Sequence, residues 1–121
     1  MKTVRIETKE QLDEARMKMV KGIFELYILW ALSKKKMHGY ELMKAMTHGQ
    51  VFNVKTSPAT IYPLLSSLAK RNLLAHKKES TGKRTRKVYY TTDKGLAYIK
   101  MAKKYFFQRG LRKKFFEEML K

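Results

Sequence analysis

A chain of 121 residues has room for one domain with one modest core, and 28 Lys and Arg against 10 Asp and Glu leave a formal net charge of +18. Such a field goes beyond what solubility needs and calls for a polyanionic partner, either nucleic acid or an anionic membrane surface. With 44% hydrophobic and 12% aromatic residues the chain is no disordered basic tail, and the lack of cysteine excludes a disulfide framework or a thiolate metal centre. The N-terminal residues have no apolar secretion-signal core. The longest apolar run, Leu26–Leu32, is far shorter than the ~20 residues that span a bilayer. The expectation is a soluble intracellular protein with no membrane partner.

Residues 1–7 read as a loose or strand-like lead. Thr8 and Gln11 then make a capping-box pattern, followed at helical spacing by Leu12, Ala15, Met19, Ile23, Tyr27 and Trp30. Gly22 predicts either two helices or one bent helix. Ser33–Met37 is a polar turn, and His38-Gly39-Tyr40-Glu41 opens a second helix with Leu42, Met43 and Met46 as inward residues. Residues 49–56 are a connector.

Ser57–Leu74 is punctuated as a short helix. Ser57 is placed to cap it, Pro58 sits at the first helical position, and Asn72 suits the left-handed residue that ends it. Ile61, Leu64, Leu65 and Leu68 form one buried stripe. The opposite face carries Thr60, Ser66, Ser67, Lys70 and Arg71, with no acid among them. Pro63 removes the bond to the Ala59 carbonyl and should bend the helix.

Residues 74–79 and 84–91 pair as strands across a tip at 80–83, where Gly82 supplies a positive φ. Thr92 caps a final helix starting near Asp93. If continuous over 93–120 it would be about 40 Å long. Leu96, Ile99, Ala102 and Phe106 form one stripe on it, and Phe107, Leu111, Phe115 and Met119 form another, with a kink or break expected near Gly110. The fold class is mainly α with a small β-hairpin: a winged helix-turn-helix over residues 1–92, and a C-terminal helical segment over 93–121.

Between residues 42 and 92 only Glu79 opposes Lys44, Lys55, Lys70, Arg71, Lys77, Lys78, Lys83, Arg84, Arg86 and Lys87. The excess centres on the third helix and the hairpin, the parts of a winged helix that meet DNA. A second acid-free run, Lys94–Lys114, is compatible with flanking DNA, an anionic membrane or plain exposure, and its scattered rather than one-sided apolar residues argue against a purely interfacial helix.

These residues together resemble the PadR-like family of transcriptional regulators. The matching words are Lys21-Gly22-x-x-Glu25-Leu26-x-Ile28-Leu29, His38-Gly39-Tyr40-Glu41-Leu42 and Ser57-Pro58-x-x-Ile61-Tyr62-Pro63-Leu64-Leu65-x-x-Leu68. They continue as Lys70-Arg71-x-Leu73-Leu74 and Gly82-Lys83-Arg84-x-Arg86-Lys87-x-Tyr89-Tyr90-x-Thr92-x-x-Gly95. The resemblance implies a homodimer that represses transcription from a pseudo-palindromic site on double-stranded DNA. By position it implies DNA contacts from Tyr40, from Ser57, Thr60, Tyr62, Ser66, Lys70 and Arg71 on the helix, and from Lys83, Arg84, Arg86 and Lys87 on the wing. It implies a dimer interface through the C-terminal residues Leu96, Ile99, Phe106, Phe107, Leu111, Phe115 and Met119, packed on the first helix of the partner. Asn72 stands where the family commonly has glycine, and nothing carries over onto residues 1–20.

Some relatives hold aromatic effectors between dimer helices, which leaves a small aromatic effector open as a partner. Trp30 itself reads as a core tryptophan. His38, His48 and His76 have no metal-ligand spacing, so no metal or other cofactor is expected. An enzyme is not expected either, since there is no phosphate-binding glycine loop, no cysteine and no paired carboxylate in a cleft. The competing readings are a sequence-tolerant chromatin protein and an RNA-associated winged helix. As a transcriptional regulator the protein would be cytoplasmic and nucleoid-associated.

Overall fold

Thr8 starts the first helix by reciprocal capping. Its Oγ1 accepts the Gln11 N–H at 3.1 Å, and its own N–H donates to Gln11 Oε1 at 3.3 Å. A computed structural model describes residues 8–48, 56–109 and 113–121; the lead at 1–7 and most of the 49–56 connector lie outside the described residues.

Helix α1 (Lys9–Lys34) runs unbroken for 26 residues, so Gly22 neither splits it nor divides it in two. One glycine costs a helix about 1 kcal/mol, which the burial of Phe24, Ile28, Leu29 and Leu32 outweighs. Lys35 adopts an extended backbone and ends the helix. The next residues differ from the expected plain turn: Met37–His38 form a short strand, β1. Helix α2 (Gly39–His48) follows directly and buries Leu42 and Met46.

Helix α3 (Pro58–Lys70) buries Ile61, Leu64, Leu65 and Leu68, as the stripe predicts. Ser57 is its cap by backbone only. The Ser57 carbonyl accepts the Thr60 and Ile61 N–H groups at 3.0 Å, but its side chain bonds no backbone group and lies 3.3 Å from Thr60 Oγ1. Pro63 is tolerated inside the helix because the carbonyl it frees belongs to exposed Ala59, within reach of water. The helix closes with Asn72 at φ 62° and Leu73 N–H donating to Leu68 O at 3.0 Å, a left-handed cap of the Schellman kind.

Strands β2 (Leu74–Thr81) and β3 (Arg84–Thr91) pair antiparallel around Gly82, whose φ is also 62°. Strand β1 joins the other edge of β3, pairing Met37 with Tyr89 and His38 with Val88, so the sheet order is β1-β3-β2. Thr91 Oγ1 donates to the Leu29 carbonyl at 2.6 Å and ties the base of the wing to α1.

Helix α4 (Asp93–Lys103) begins at Thr92, whose Oγ1 accepts the Gly95 N–H at 3.0 Å. It lies against α1 and adds Tyr98 and Ile99 to the edge of the core. The expected single helix over 93–120 departs from α geometry earlier than Gly110. Lys104–Arg109 form a π-helical turn, and α5 (Lys113–Met119) follows. A π turn shifts the register of the side chains that follow it, a change that the sequence places near Gly110. Continuity through Gly110, and Leu111 itself, lie outside the described residues.

One expectation about the core fails. Leu12, Met19, Ile23 and Trp30 are exposed, Trp30 by 40% and Met19 by 74%. Residues 23–32 are apolar on two sides, so periodicity could not say which side faces inward. Phe24, Ile28 and Leu32 take that place, and Trp30 lies outside with its ring 5.8 Å from that of Tyr27. Leu96 and Phe106 are likewise exposed, while Ala102 from the same stripe is buried.

Candidate nucleic-acid interface

The pairing of β1 with β3 sets His38 beside the wing. Its Nε2 lies 3.2 Å from Arg86 Nη1 and 2.9 Å from Glu41 Oε1. His38, at the end of β1, and Glu41, in the first turn of α2, cap each other: Glu41 N–H donates to His38 Nδ1 at 3.3 Å, and His38 N–H donates to Glu41 Oε1 at 3.4 Å. The start of α2 is therefore fixed, and the next residue must be small. A Cβ on Gly39 would stand 2.7 Å from Tyr62 Cε1, so the Tyr62 ring of α3 lies directly on the first turn of α2. Tyr40 is exposed beside it, with Lys44 Nζ 4.9 Å from the ring centre.

Between α2, α3 and the wing this leaves an open notch of about 760 Å³ lined by His38, Gly39, Tyr40, Tyr62, Ser66, Arg84, Arg86, Lys87 and Tyr89. No acid stands among these lining residues. Burial pushes the Tyr89 phenol up, with the neighbouring Tyr62 adding to the shift, so it stays protonated at neutral pH and keeps a donor. Three cations, hydroxyl donors and aromatic edges around one concavity can hold a phosphate and brace a sugar-phosphate backbone.

Of the residues singled out in the sequence, Tyr40, Tyr62, Ser66, Arg84, Arg86 and Lys87 come together here. Lys70 and Ser66 share the outward strip of α3 with Ala59, Tyr62 and Pro63, but Lys70 lies beyond the notch. Ser57 and Thr60 sit at the first turn of α3, outside the notch lining, with Thr60 half-buried. Lys83 is at the exposed hairpin tip. Arg71 does not join the group. Its Nη1 donates to Glu25 Oε2 of α1 at 3.1 Å, and that hydrogen bond is the main cause of the raised pKa of its guanidinium. His38, Gly39 and Tyr89 were missed. The His38-Gly39-Tyr40-Glu41 word held the signal, but a two-residue strand leaves no periodicity by which to place His38 beside Arg86.

Among the C-terminal residues, Phe115 and Met119 are exposed and Ile99 is half-buried, while the Phe107 side chain lies outside the described residues. Among the described residues, no three His, Cys, Asp or Glu side chains gather as a metal site would need, and no helix is long and apolar enough to cross a membrane.

Three helices followed by a hairpin, with a third strand closing its inner edge, define a winged helix-turn-helix. Residues 28–101 match the model of the PadR-like family of transcriptional regulators, and the chain belongs to that family. A PadR-like transcriptional regulator from Bacillus cereus is 31% identical, with a TM-score of 0.67 over 86% of this chain and 97% of that one. A transcriptional regulator from Clostridium thermocellum superposes with a TM-score of 0.72, covering 86% and 96% of the two chains; at 21% identity it speaks for the fold alone. The Escherichia coli transcriptional regulator YqjI is 40% identical over 63 residues. That match takes in 52% of this chain and 30% of YqjI, so the chain spans under a third of the curated relative.

Proposed function

We propose that the chain is a sequence-specific DNA-binding regulator that acts as a homodimer, represses transcription, and docks on a pseudo-palindromic duplex site through α3 and the wing. The observation that carries this reading is the acid-free notch, in which Tyr40, Tyr62, Ser66, Arg84, Arg86 and Lys87 converge from three elements. In this reading the outward strip of α3 enters the major groove. The notch seats the backbone alongside, and Lys83 and Arg84 at the hairpin tip follow the strand. Residues 1–92 form the DNA-binding unit and 93–121 the dimerisation segment.

The second copy has a surface to meet. Leu12, Met19, Ile23 and Trp30 form one exposed apolar strip along α1, and Leu96, Met101, Tyr105 and Phe106 are exposed along α4 and the turn that follows it. A strip of this size on a basic, water-facing helix fits burial against a partner copy. A regulator of this kind works in the cytoplasm, on the nucleoid.

Replacing Arg84 and Arg86 together with alanine tests the wing. Binding to duplex DNA should weaken for every sequence, and the slope of log affinity against log salt should fall by about one to two units. An unchanged slope would remove the wing from the phosphate contacts.

A further inference from the structure

The DNA-facing notch leaves a buried charge unused. Glu25, in the middle of α1, is 8% exposed. A buried carboxylate is costly unless a cation meets it, and here the cation comes from 46 residues further along the chain. Arg71 stands at the C-cap of α3 and donates to Glu25 Oε2 at 3.1 Å. The same guanidinium lies 5.9 Å from the centre of the Tyr98 ring on α4. The Arg71 carbonyl accepts Lys94 Nζ, also from α4, at 3.1 Å. One residue thus joins the end of α3 to both helices of the layer behind it.

We propose that Arg71 is a positioning residue for DNA reading: paired with Glu25, it fixes the angle at which α3 projects from the α1–α4 layer and so governs discrimination between sequences without touching DNA. This inference rests on the DNA-binding function proposed above. Base-edge hydrogen bonds lose strength steeply when donor and acceptor shift by a few tenths of an ångström or tilt. Phosphate contacts made by long lysine and arginine side chains follow such a shift and carry little sequence information. Loosening α3 therefore costs specificity before it costs general affinity. A general loss of folded protein does the opposite, lowering binding to all DNA by one factor and leaving the ratio between sequences untouched.

The test compares two probes across a salt series: the duplex most enriched by the wild-type chain from a random library, and a random-sequence duplex of equal length. Wild type, Arg71→Met, Arg71→Lys and Glu25→Gln are measured as full chains. Arg71→Met and Glu25→Gln should each lower the ratio of specific to random affinity by about tenfold and leave the salt slope unchanged. Arg71→Lys keeps the charge but not the planar guanidinium, and should fall between these variants and wild type. If Arg71→Met shows no cooperative thermal transition, Arg71→Lys and Glu25→Gln carry the comparison. A slope lowered by about one unit with an unchanged ratio would make Arg71 a phosphate contact and overturn the inference. So would folded variants with the wild-type ratio. A wild-type chain that binds both probes alike overturns the DNA-reading function itself, and this inference with it.

Discussion

Arg86 and Tyr62 reach the notch by different routes. Strand pairing brings Arg86 Nη1 within 3.2 Å of His38 Nε2, the ring nitrogen that faces Glu41 Oε1, whereas Tyr62 is held by the absence of a side chain at Gly39. A methyl group at Gly39 meets the ring of Tyr62, the movable end of a side chain, so the ring can swing away at little cost to the fold. Gly39→Ala should therefore shift stability by less than about 1 kcal/mol yet weaken DNA binding measurably, as read by a thermal melt beside a binding titration. A large drop in melting temperature with unchanged binding would mean that the Tyr62 ring is only packing. This coupling was invisible in the sequence, where Gly39 is one letter of a helix-opening word. Arg71 shows the reverse case. Composition counts it among the cations of α3 and does not reveal its hydrogen bond to a buried glutamate on another helix.

At the scale of elements, the junction of α3, the wing and α4 turns on Gly95. A Cβ there would run into the Leu73 carbonyl oxygen and the Thr91 methyl, and the first of these is backbone that cannot step aside. Gly95→Ala should destabilise the fold by about 1–3 kcal/mol, seen as a lower denaturation midpoint; an unchanged midpoint would mean that α4 can slide off Leu73. The elements most legible in the sequence are those with local punctuation. Pro58 and Asn72 bracket α3, Gly82 marks the hairpin tip, and Thr8 and Thr92 cap their helices. Elements set by distant contacts were not legible. β1 exists because β3 offers it an edge, and the inward face of α1 was chosen by packing against β3 and α4.

The whole molecule presents two surfaces of different character. The first gathers Arg84, Arg86 and Lys87 around a notch with no acid in its lining, while on the second α1 and the C-terminal helices expose Ile23, Trp30, Leu96 and Phe106 among lysines of their own. On the proposed dimer, burial of the second face sets the spacing of the first. Sedimentation at concentrations on the order of tens of micromolar should show a dimer, and Ile23→Glu, which puts a charge in the strip, should move it to monomer. A wild-type monomer under those conditions would remove the dimer from the account. The central claim, that α3 and the wing read sequence from a duplex as a symmetric pair, is met most directly by selecting bound duplexes from a random library at a stated salt concentration. A symmetric pair of readers should enrich an inverted repeat with half-site centres about one helical turn apart. A selection that enriches no motif, with affinity that falls steeply with salt and hardly varies with sequence, would contradict the claim.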